Sequence, residues 1–360
     1  MVVVIGLCGC FTKPDPPGLG GGGSADGSMP GVPPNLAFVT STPRPLAQVT
    51  SLQYADHWCQ DAAASAQLEG NYKAWLSTSS EAAQSRFGTA RGWVRTDGKP
   101  FADSIDDLVT TRRMFHPLRI DENGSDLRTT DPSATYYVAT GTMVGGIVDQ
   151  NCNGLTGLGN MTSGFADATG AAWTDAGSVP CGSSLRIYCL GIDRTSRVDA
   201  PTTPGPRIFL SETPVSVGAS VSTFDARCSS DAAAASPPLS GQFKALVALA
   251  QKSAIERVGA RGQMWVRVDG VEATSDFAAM ETPVNVTAKG HYLDNVRTWS
   301  GAADATSLGT STCSDWANPS GGSAAIGIAD RTSTDAFGTA GTLFGCSFGT
   351  VHIYCAEVQQ

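Results

Sequence analysis

Residues 93–98 read WVRTDG, and residues 265–270 read WVRVDG. An aromatic and a β-branched residue that run into Asp-Gly are typical of a strand entering a tight hairpin turn. Other landmarks recur in the same order: residues 70–74 (GNYKA) with 241–245 (GQFKA), and residues 187–189 (IYC) with 353–355 (IYC). Repeats of this length exceed those of solenoids, so the sequence predicts two domains of one fold.

Eight of the ten cysteines follow the same duplication. They form two sets of four: Cys59, Cys152, Cys181 and Cys189, then Cys228, Cys313, Cys346 and Cys355. Because the sequence has no CxxC spacing and no cluster of cysteine with histidine, disulfides in an exported chain are favoured over zinc or redox chemistry. Four cysteines pair in three ways within a domain, and spacing alone does not choose among them.

Composition narrows the class of protein. A chain of 360 residues corresponds to roughly two domains. Its formal net charge of −9 argues against a nucleic-acid partner, which normally requires a basic surface. The 41 glycines and the 16% charged residues favour a turn-rich extracellular fold over a helical cytosolic enzyme. No run of 18 apolar residues occurs in the sequence, so no transmembrane helix is predicted.

The N-terminal residues are predicted to be a targeting signal followed by a tether rather than part of the folded domains. Residues 1–10 end in Leu-Cys-Gly-Cys, which resembles a bacterial lipobox with lipidation at Cys10. An ordinary secretory signal or a chance apolar start remains open, because no Lys or Arg precedes the short apolar run. Residues 11–36 are rich in Gly and Pro and predict a disordered tether. Contact with a membrane is expected only through the lipid.

The remaining chain divides at a proline-rich segment. We predict domain 1 at residues 37–198, a semi-rigid linker at 199–206 and a more divergent domain 2 at 207–360. Apolar residues at helical spacing predict a helix at the start of each copy, and the shorter patterns predict an α+β class with many loops. The elements expected are helices over residues 56–68, 81–87 and 224–235, and strands at 72–76 and near 93–95, 136–140 and 185–190.

Together these landmarks resemble a known family. A helix at the first cysteine, G-x-[YF]-K-A-[WL], W-V-R-x-D-G, a long loop region with a cysteine pair and a final I-Y-C strand are similar to the bacterial endostatin-like domain. That family resembles the C-terminal domain of collagens XV and XVIII and has the C-type-lectin-like fold. It occurs in surface lipoproteins, including the leptospiral endostatin-like outer-membrane proteins. The resemblance covers residues 37–192 well and residues 206–357 more loosely.

The resemblance implies a structure and a function. It implies nested disulfides, namely Cys59–Cys189, Cys152–Cys181, Cys228–Cys355 and Cys313–Cys346. It implies adhesion without catalysis, with an extracellular-matrix-type protein or a glycan as partner and a lipid-anchored location at the bacterial cell surface or outer membrane, otherwise periplasmic or secreted. The Glu-Pro-Asn, Gln-Pro-Asp and Trp-Asn-Asp triplets of calcium-dependent lectins are missing from the sequence, so sugar binding of that type is not expected.

Two polar stretches are candidate sites. Asp121, Asn123 and Asp126 surround Gly124 and offer oxygen ligands for calcium, although an ordinary polar turn explains the same residues. No cofactor other than calcium is expected. Arg112 and Arg113 form the most basic stretch and are candidates for binding an anionic ligand. Three aspartates lie just before them, which favours local ion pairing as the alternative: Asp103, Asp106 and Asp107.

Other candidates are a histidine and two tryptophans. His57 follows Asp56, but without an identifiable nucleophile a position on a helix surface is preferred to catalysis. Trp93 and Trp265 hold matched positions and predict core residues. Trp173 and Trp316 lie in the loop regions and are the candidates for exposed ligand-stacking residues.

These observations predict a non-catalytic recognition protein. Its ligand is expected to contact loops at residues 140–173 and 300–344, held on a scaffold stapled by disulfides. Two alternatives remain open, an envelope-associated hydrolase and a passive structural protein of the envelope. Because the second copy lacks the acidic residues of the 121–126 loop, we expect that the copies differ in their tasks or that the second copy is a spacer.

Overall fold

A computed structural model describes residues 33–130, 136–259, 262–275, 277, 280–339 and 341–358. The chain from Pro33 onward forms one compact unit that contains helices and several small sheets, in agreement with the α+β class. The predicted lipobox, including Cys10, lies outside the described residues. No helix within the described ranges has the length and apolar character needed to span a bilayer.

The first half of the unit alternates short strands with short helices. Its strands are Asn35–Val39, Arg44–Pro45, Tyr72–Ala74, Trp93–Arg95, Pro100–Ala102, Tyr137–Ala139, Thr142–Met143, Ile147–Val148, Asn160–Phe165, Gly177–Pro180, Ser184–Leu185 and Tyr188–Gly191. Its α-helices are Leu52–Ser65, Ile105–Val109, Leu127–Thr130 and Ala171–Thr174, and its 3-10 helices are Leu46–Gln48, Ala83–Arg86 and Val144–Gly146.

The second half repeats this order with fewer elements. Its strands are Arg207–Leu210, Phe243–Ala245, Trp265–Arg267, Glu272–Thr274, Arg297–Trp299, Ser323–Ile328, Leu343–Gly345 and Tyr354–Glu357. Its α-helices are Ser222–Ala233 and Ala254–Val258, and its 3-10 helix is Thr334–Ala336. Each half also has one left-handed helical turn, at Cys152–Leu155 and at Cys313–Trp316.

The two halves have the same sheet topology. In the first half the five-stranded main sheet follows the order Tyr72–Ala74, Tyr188–Gly191, Asn35–Val39, Trp93–Arg95, Pro100–Ala102. In the second half the order is Phe243–Ala245, Tyr354–Glu357, Arg207–Leu210, Trp265–Arg267, Glu272–Thr274. Both sheets place a parallel pair next to antiparallel neighbours, and each half adds a three-stranded antiparallel sheet. The duplication predicted from the sequence is therefore a duplication of strand order.

The first helix of each half was predicted close to its observed position. Leu52–Ser65 starts four residues before the predicted start, because the Ser51 side chain accepts a hydrogen bond from the Tyr54 amide (3.1 Å) and caps the helix. Its buried residues, Ala55, Trp58, Cys59 and Ala63, recur at helical spacing on one face. The second predicted helix, at residues 81–87, is instead the short 3-10 helix Ala83–Arg86.

Four disulfides join the elements with the nested pairing that the resemblance implies. Cys59–Cys189 ties the first helix to the main sheet, and Cys228–Cys355 does the same in the second half. Cys152–Cys181 and Cys313–Cys346 each fix a left-handed turn to the following loop region. Four disulfides in one chain are typical of oxidising compartments outside the cytoplasm.

The tryptophans lie inside the protein. Trp93 and Trp265, predicted as core residues, are fully buried, which confirms that prediction. Trp173 and Trp316, predicted as exposed stacking residues, are also fully buried, so that prediction was wrong. Trp173 packs on the Tyr188 ring (5.1 Å between centroids), and the indole of Trp316 donates to the Ala248 carbonyl (3.0 Å). Each ring belongs to a buried hydrophobic cluster that packs against the main sheet of its half, so the loops turn these side chains inward.

The segments at the predicted boundaries are ordered parts of the fold. Asn35 and Leu36, assigned to the tether, belong to the first strand of the main sheet. In the predicted linker, the Thr203 amide donates to the Gly270 carbonyl of the second half (3.3 Å). The linker does not hold the halves apart, since they contact each other directly along a seam.

The seam is organised around one antiparallel bridge between Ala168 and Arg331. The Thr169 amide donates to the Asp330 carbonyl (3.0 Å), and the Thr332 amide donates to the Asp167 carbonyl (3.1 Å). This reciprocal pair of hydrogen bonds is the pattern that a local twofold axis produces between equivalent residues. The halves therefore meet as the subunits of a symmetric dimer do, within one chain.

Candidate functional site

A polar pocket opens on the first half between the helix Leu52–Ser65 and the end of the strand Tyr72–Ala74. Its volume is about 450 Å³. We call it the hydroxyl pocket, because five hydroxyl residues from two separate segments line it: Thr50, Ser51, Thr78, Ser79 and Ser80. Glu81 and Gly154 complete its walls. Hydroxyls both donate and accept hydrogen bonds, so the lining suits a ligand that is itself rich in polar groups.

An ion pair between the buried Arg86 and the partly exposed Asp56 forms the floor of the hydroxyl pocket. The Arg86 guanidinium donates to both carboxylate oxygens of Asp56 (2.8 and 2.6 Å) and to the Ala74 carbonyl. Asp56 also accepts from the Ala74 amide (2.9 Å), which fixes the helix to the sheet edge. Such bidentate pairs hold a defined geometry.

The charges around the hydroxyl pocket balance. Asp56 and Glu81 carry two negative charges, and Arg86 and Lys73 carry two positive charges. The Lys73 ammonium donates to the Arg86 carbonyl (3.0 Å), so it is directed to the protein as well. Because no charge is left in excess, the pocket favours a neutral ligand over an anion or a cation.

The left-handed turn Cys152–Leu155 builds one wall of the pocket. All four of its residues have φ between 53° and 73°. This conformation costs non-glycine residues about 1–2 kcal/mol each, and only Gly154 is exempt. The turn is held by the Asn151 carboxamide oxygen, which accepts from the Gly154 amide (2.7 Å) and from the Ser79 hydroxyl (3.2 Å). Backbone strain of this kind persists where the surroundings over-determine it.

The corresponding place in the second half has a different lining. Counting from the matched strands, residues 78–81 correspond to residues 249–252, and both segments close a turn with the same backbone bond (2.9 and 2.8 Å). The residues change from Thr-Ser-Ser-Glu to Leu-Ala-Gln-Lys. Asp315 stands where the first half has Gly154, and its carboxylate accepts from the Ala250 amide (2.7 Å). An internal side chain thus takes the place that is open in the first half.

The floor, by contrast, is the same in both halves. Arg257 donates to both oxygens of Asp225 (2.9 and 2.8 Å) and to the Ala245 carbonyl (2.6 Å). Asp225 accepts from the Ala245 amide (2.9 Å), as Asp56 does from Ala74. The two halves therefore share a scaffold and differ in the residues that a ligand would meet.

The predicted calcium residues form a turn and an arginine site instead. One Asp121 oxygen accepts from the amides of Asn123 and Ser125 (2.9 Å each). Asp126 accepts from the guanidinium groups of Arg119 (2.9 Å) and Arg128 (3.2 Å). Burial alone would raise the pKa of Asp126, but Arg119 outweighs it and the pKa lies below its usual range.

Two arginines beside Asp126 oppose a bound cation, so these residues do not fit calcium. Across the described residues, no three Asp, Glu, His or Cys side chains come together as a metal site.

The two basic residues proposed for anion binding are both engaged with acids. Arg113 pairs with Asp107 (3.1 Å), as the alternative of local ion pairing predicts. Arg112 pairs with Asp294 of the second half, so it contributes to the seam. The structure does not bring these arginines into the hydroxyl pocket. His57 lies on the outer face of its helix with 77% of its side chain exposed, near Asp61 (3.6 Å), and it does not line the hydroxyl pocket.

Sequence reasoning missed the hydroxyl pocket. The signal was present as the run Ser77-Thr78-Ser79-Ser80, which has no hydroxyl counterpart in residues 248–251 (ALAQ) of the second copy. A comparison of the two copies position by position would have found it. The predicted loop at residues 140–173 does contribute, because it contains the turn Cys152–Leu155.

Comparison with models of protein families and with curated proteins finds no match to this chain. The endostatin-like resemblance therefore stays a prediction that rests on the motifs quoted above. The structure explains those motifs physically. In W-V-R-x-D-G, the arginine pairs with the aspartate of the hairpin turn. The same arginine donates a hydrogen bond to a proline carbonyl, Arg95 to Pro117 (2.9 Å) and Arg267 to Pro283 (3.0 Å).

Proposed function

We propose that this chain is a non-catalytic recognition protein of the bacterial cell surface, anchored by lipid on Cys10, with two tandem endostatin-like halves of C-type-lectin-like fold. Its ligand is a glycan that binds in the hydroxyl pocket of the first half. The observation that carries this proposal is the lining of the pocket: hydroxyl groups over a charge-balanced floor, in one half only.

The chemistry of the pocket supports a neutral glycan. A sugar presents several hydroxyls at fixed spacing, and the exposed Ser79, Ser80 and Thr50 offer complementary donors and acceptors. A volume of about 450 Å³ is within the range of small-molecule sites. The disulfides and the Asp56–Arg86 pair hold these groups in place, which lowers the entropy that binding must overcome.

The scaffold also supports recognition. Loops carry the lining residues, while a disulfide-bonded sheet positions them. A hydrolase would bring a nucleophile together with a base or a pair of carboxylates, and the hydroxyl pocket is instead floored by an arginine-neutralised Asp56.

The test is a glycan and matrix-protein array probed with the full-length chain, with and without calcium. We expect binding to neutral glycans that does not depend on calcium. The double variant Ser79→Ala/Ser80→Ala should lose at least tenfold in affinity, because two hydrogen-bonding groups are removed. Ser320→Ala, which removes an exposed hydroxyl from the second half, is the matched control and should bind normally.

Three outcomes contradict the proposal in different ways. Binding only to matrix proteins, unaffected by the double variant, would move recognition to another surface. Binding to nothing on the array would favour a passive structural protein. Hydrolysis of an arrayed glycan would favour the envelope enzyme.

A further inference from the structure

The seam between the halves contains one tetrapeptide twice. Residues 166–169 read ADAT and residues 329–332 read ADRT. Each follows the central strand of a three-stranded sheet by the same number of residues, after Asn160–Phe165 and after Ser323–Ile328. The reciprocal hydrogen bonds at the seam confirm that these positions are equivalent in space. Within the tetrapeptides, the one difference is Ala168 against Arg331.

The first aspartate of the pair is neutralised across the seam. Asp167 is fully buried, and the Arg331 guanidinium pairs with its carboxylate (Nη2 to Oδ1, 2.9 Å; Nε to Oδ1, 3.1 Å). The same guanidinium lies over the Phe165 ring, 3.8 Å from its centroid. A buried carboxylate needs such a partner, since an uncompensated charge in the interior is strongly unfavourable.

The second aspartate has no equivalent partner. Asp330 is 1% exposed, and the twofold mate of Arg331 is Ala168, which has no charge to offer. Among the described residues, no lysine or arginine forms a salt bridge with the Asp330 carboxylate. Its Oδ2 accepts from the Asn295 amide at 3.3 Å, and the nearby Asp294 carboxylate adds like charge, which Arg331 and the Asp330 backbone amide oppose only in part.

A cleft opens beside this unpaired carboxylate. Its volume is about 350 Å³, and both halves line it. Phe165 and Ile328, which are equivalent residues of the two halves, supply apolar surface, and Asp175 adds a second carboxylate. Arg331 is committed to Asp167, and the Arg297 guanidinium lies over the Phe344 ring (5.2 Å). The cleft therefore combines an aromatic and aliphatic wall with a buried carboxylate, Asp330, that forms no salt bridge with either of the two arginines in the lining.

We infer that this seam cleft is a second binding site. It takes a guanidinium or ammonium group in the place that an arginine at residue 168 would fill, since the first half has Ala168 where the second half has Arg331. Asp330 is the anion that receives the cation, and the Phe165 and Ile328 side chains contact the aliphatic part of the ligand. The site is independent of the hydroxyl pocket, because it shares no lining residue with it.

Two sources carry the same cationic chemistry. One is a free small amine, and the other is an arginine or lysine side chain of a partner protein. Both place one cation on an apolar stem, which a mixed cleft of this size accommodates.

The experiment is calorimetric titration of the full-length protein at pH 7.5 with agmatine, and with the capped peptide Gly-Gly-Arg-Gly-Gly and its citrulline analogue. We expect saturable binding of agmatine and of the arginine peptide, and no binding of the citrulline peptide, which has the shape without the charge. Tighter binding of agmatine indicates a free amine, and tighter binding of the peptide indicates a partner side chain; either result supports the site.

Two variants tie the binding to Asp330. Asp330→Asn keeps the shape of the side chain and should weaken binding of both probes at least tenfold, whereas Asp106→Asn, on an exposed helix turn, should leave it unchanged. Ala168→Arg supplies the missing arginine internally and should abolish binding. Equal affinity of the wild type and Asp330→Asn, or absence of binding to the wild type, would overturn the inference, and neither result bears on glycan binding by the hydroxyl pocket.

Discussion

The two halves of this protein share the ion pair that joins the first helix to the main sheet, and they differ in the residues that stand above that pair. Asp56 with Arg86 and Asp225 with Arg257 make the same contacts in the same order, and both anchor the first helix to the main sheet. Above that floor, residues 78–81 of the first half are Thr-Ser-Ser-Glu, whereas the corresponding residues 249–252 of the second half are Leu-Ala-Gln-Lys. The ion pairs are therefore structural, since Asp225 and Arg257 make them in the half whose corresponding residues lack the hydroxyl lining. Function is to be sought in the positions that diverged.

Removing the arginine of each Asp–Arg pair should have the strongest effect on stability, and it tests whether the two frameworks are equivalent. Arg86→Ala leaves the Asp56 carboxylate without its cation, and Arg257→Ala does the same to Asp225. We expect each variant to lower the free energy of unfolding by about 3–5 kcal/mol, and by similar amounts. Urea unfolding followed by tryptophan fluorescence measures both. Unequal losses would show that one half depends on this pair and the other does not.

The pH dependence of the free energy of unfolding, a smaller effect, distinguishes the two aspartates of the seam. Burial, helped by Asp294, raises the pKa of Asp330 from 3.8 to about 6, and the Asn295 amide and Arg331 only partly oppose it. The native state therefore keeps a proton that the unfolded chain has lost between about pH 4 and pH 6. Its free energy of unfolding falls as the pH rises through this window, by about 3 kcal/mol from this group.

Asp330→Asn removes that pH-dependent fall. The variant should be more stable than the wild type by about 3 kcal/mol at pH 7.5 and no more stable below pH 4. Thermal or urea unfolding over this pH range measures the difference. Parallel profiles for the two proteins would contradict the assignment of the fall to Asp330.

Exchanging Gly154 and Asp315, the residues that differ between the two left-handed turns, should have the smallest effect on stability. Gly154→Asp places the second half's side chain in the hydroxyl pocket, where a new Cβ meets the Ser79 hydroxyl at an ordinary 3.7 Å. Because residue 154 has φ of +73°, we expect a loss of only about 1 kcal/mol. Glycan binding should nevertheless be lost, since the carboxylate occupies the open space.

The reverse change, Asp315→Gly, is the matched control. It removes the bond to the Ala250 amide, about 1 kcal/mol, but it also relieves a side chain at φ of +54°, so we expect little net change in stability. The second half should gain no glycan affinity, because Leu249 and Ala250 have no hydroxyls. Array binding and urea unfolding of both variants provide the measurements. Retention of glycan binding by Gly154→Asp would place the ligand elsewhere.

The scaffold was more accessible from the sequence than the site. Cysteine spacing and W-V-R-x-D-G indicated the duplication, because a covalent staple and a hairpin turn have local signatures. The left-handed turns had none, since Cys152 and Cys313 are ordinary residues that the fold forces to positive φ. The burial of Trp173 and Trp316 was missed for a related reason: a loop appears exposed in the sequence until the sheet that it covers is known. The role of Asp330 depends on a residue 162 positions away, Ala168, and only three-dimensional equivalence connects them.

Joining the halves in one chain has a genetic consequence. In a dimer of identical subunits, any replacement enters both sides of the twofold axis at once, so a charge cannot be added to one side alone. Here a single codon determines residue 331 and another determines residue 168. One side of the junction can therefore carry an arginine while the twofold-related position carries alanine, an asymmetry that no homodimer with this interface can encode.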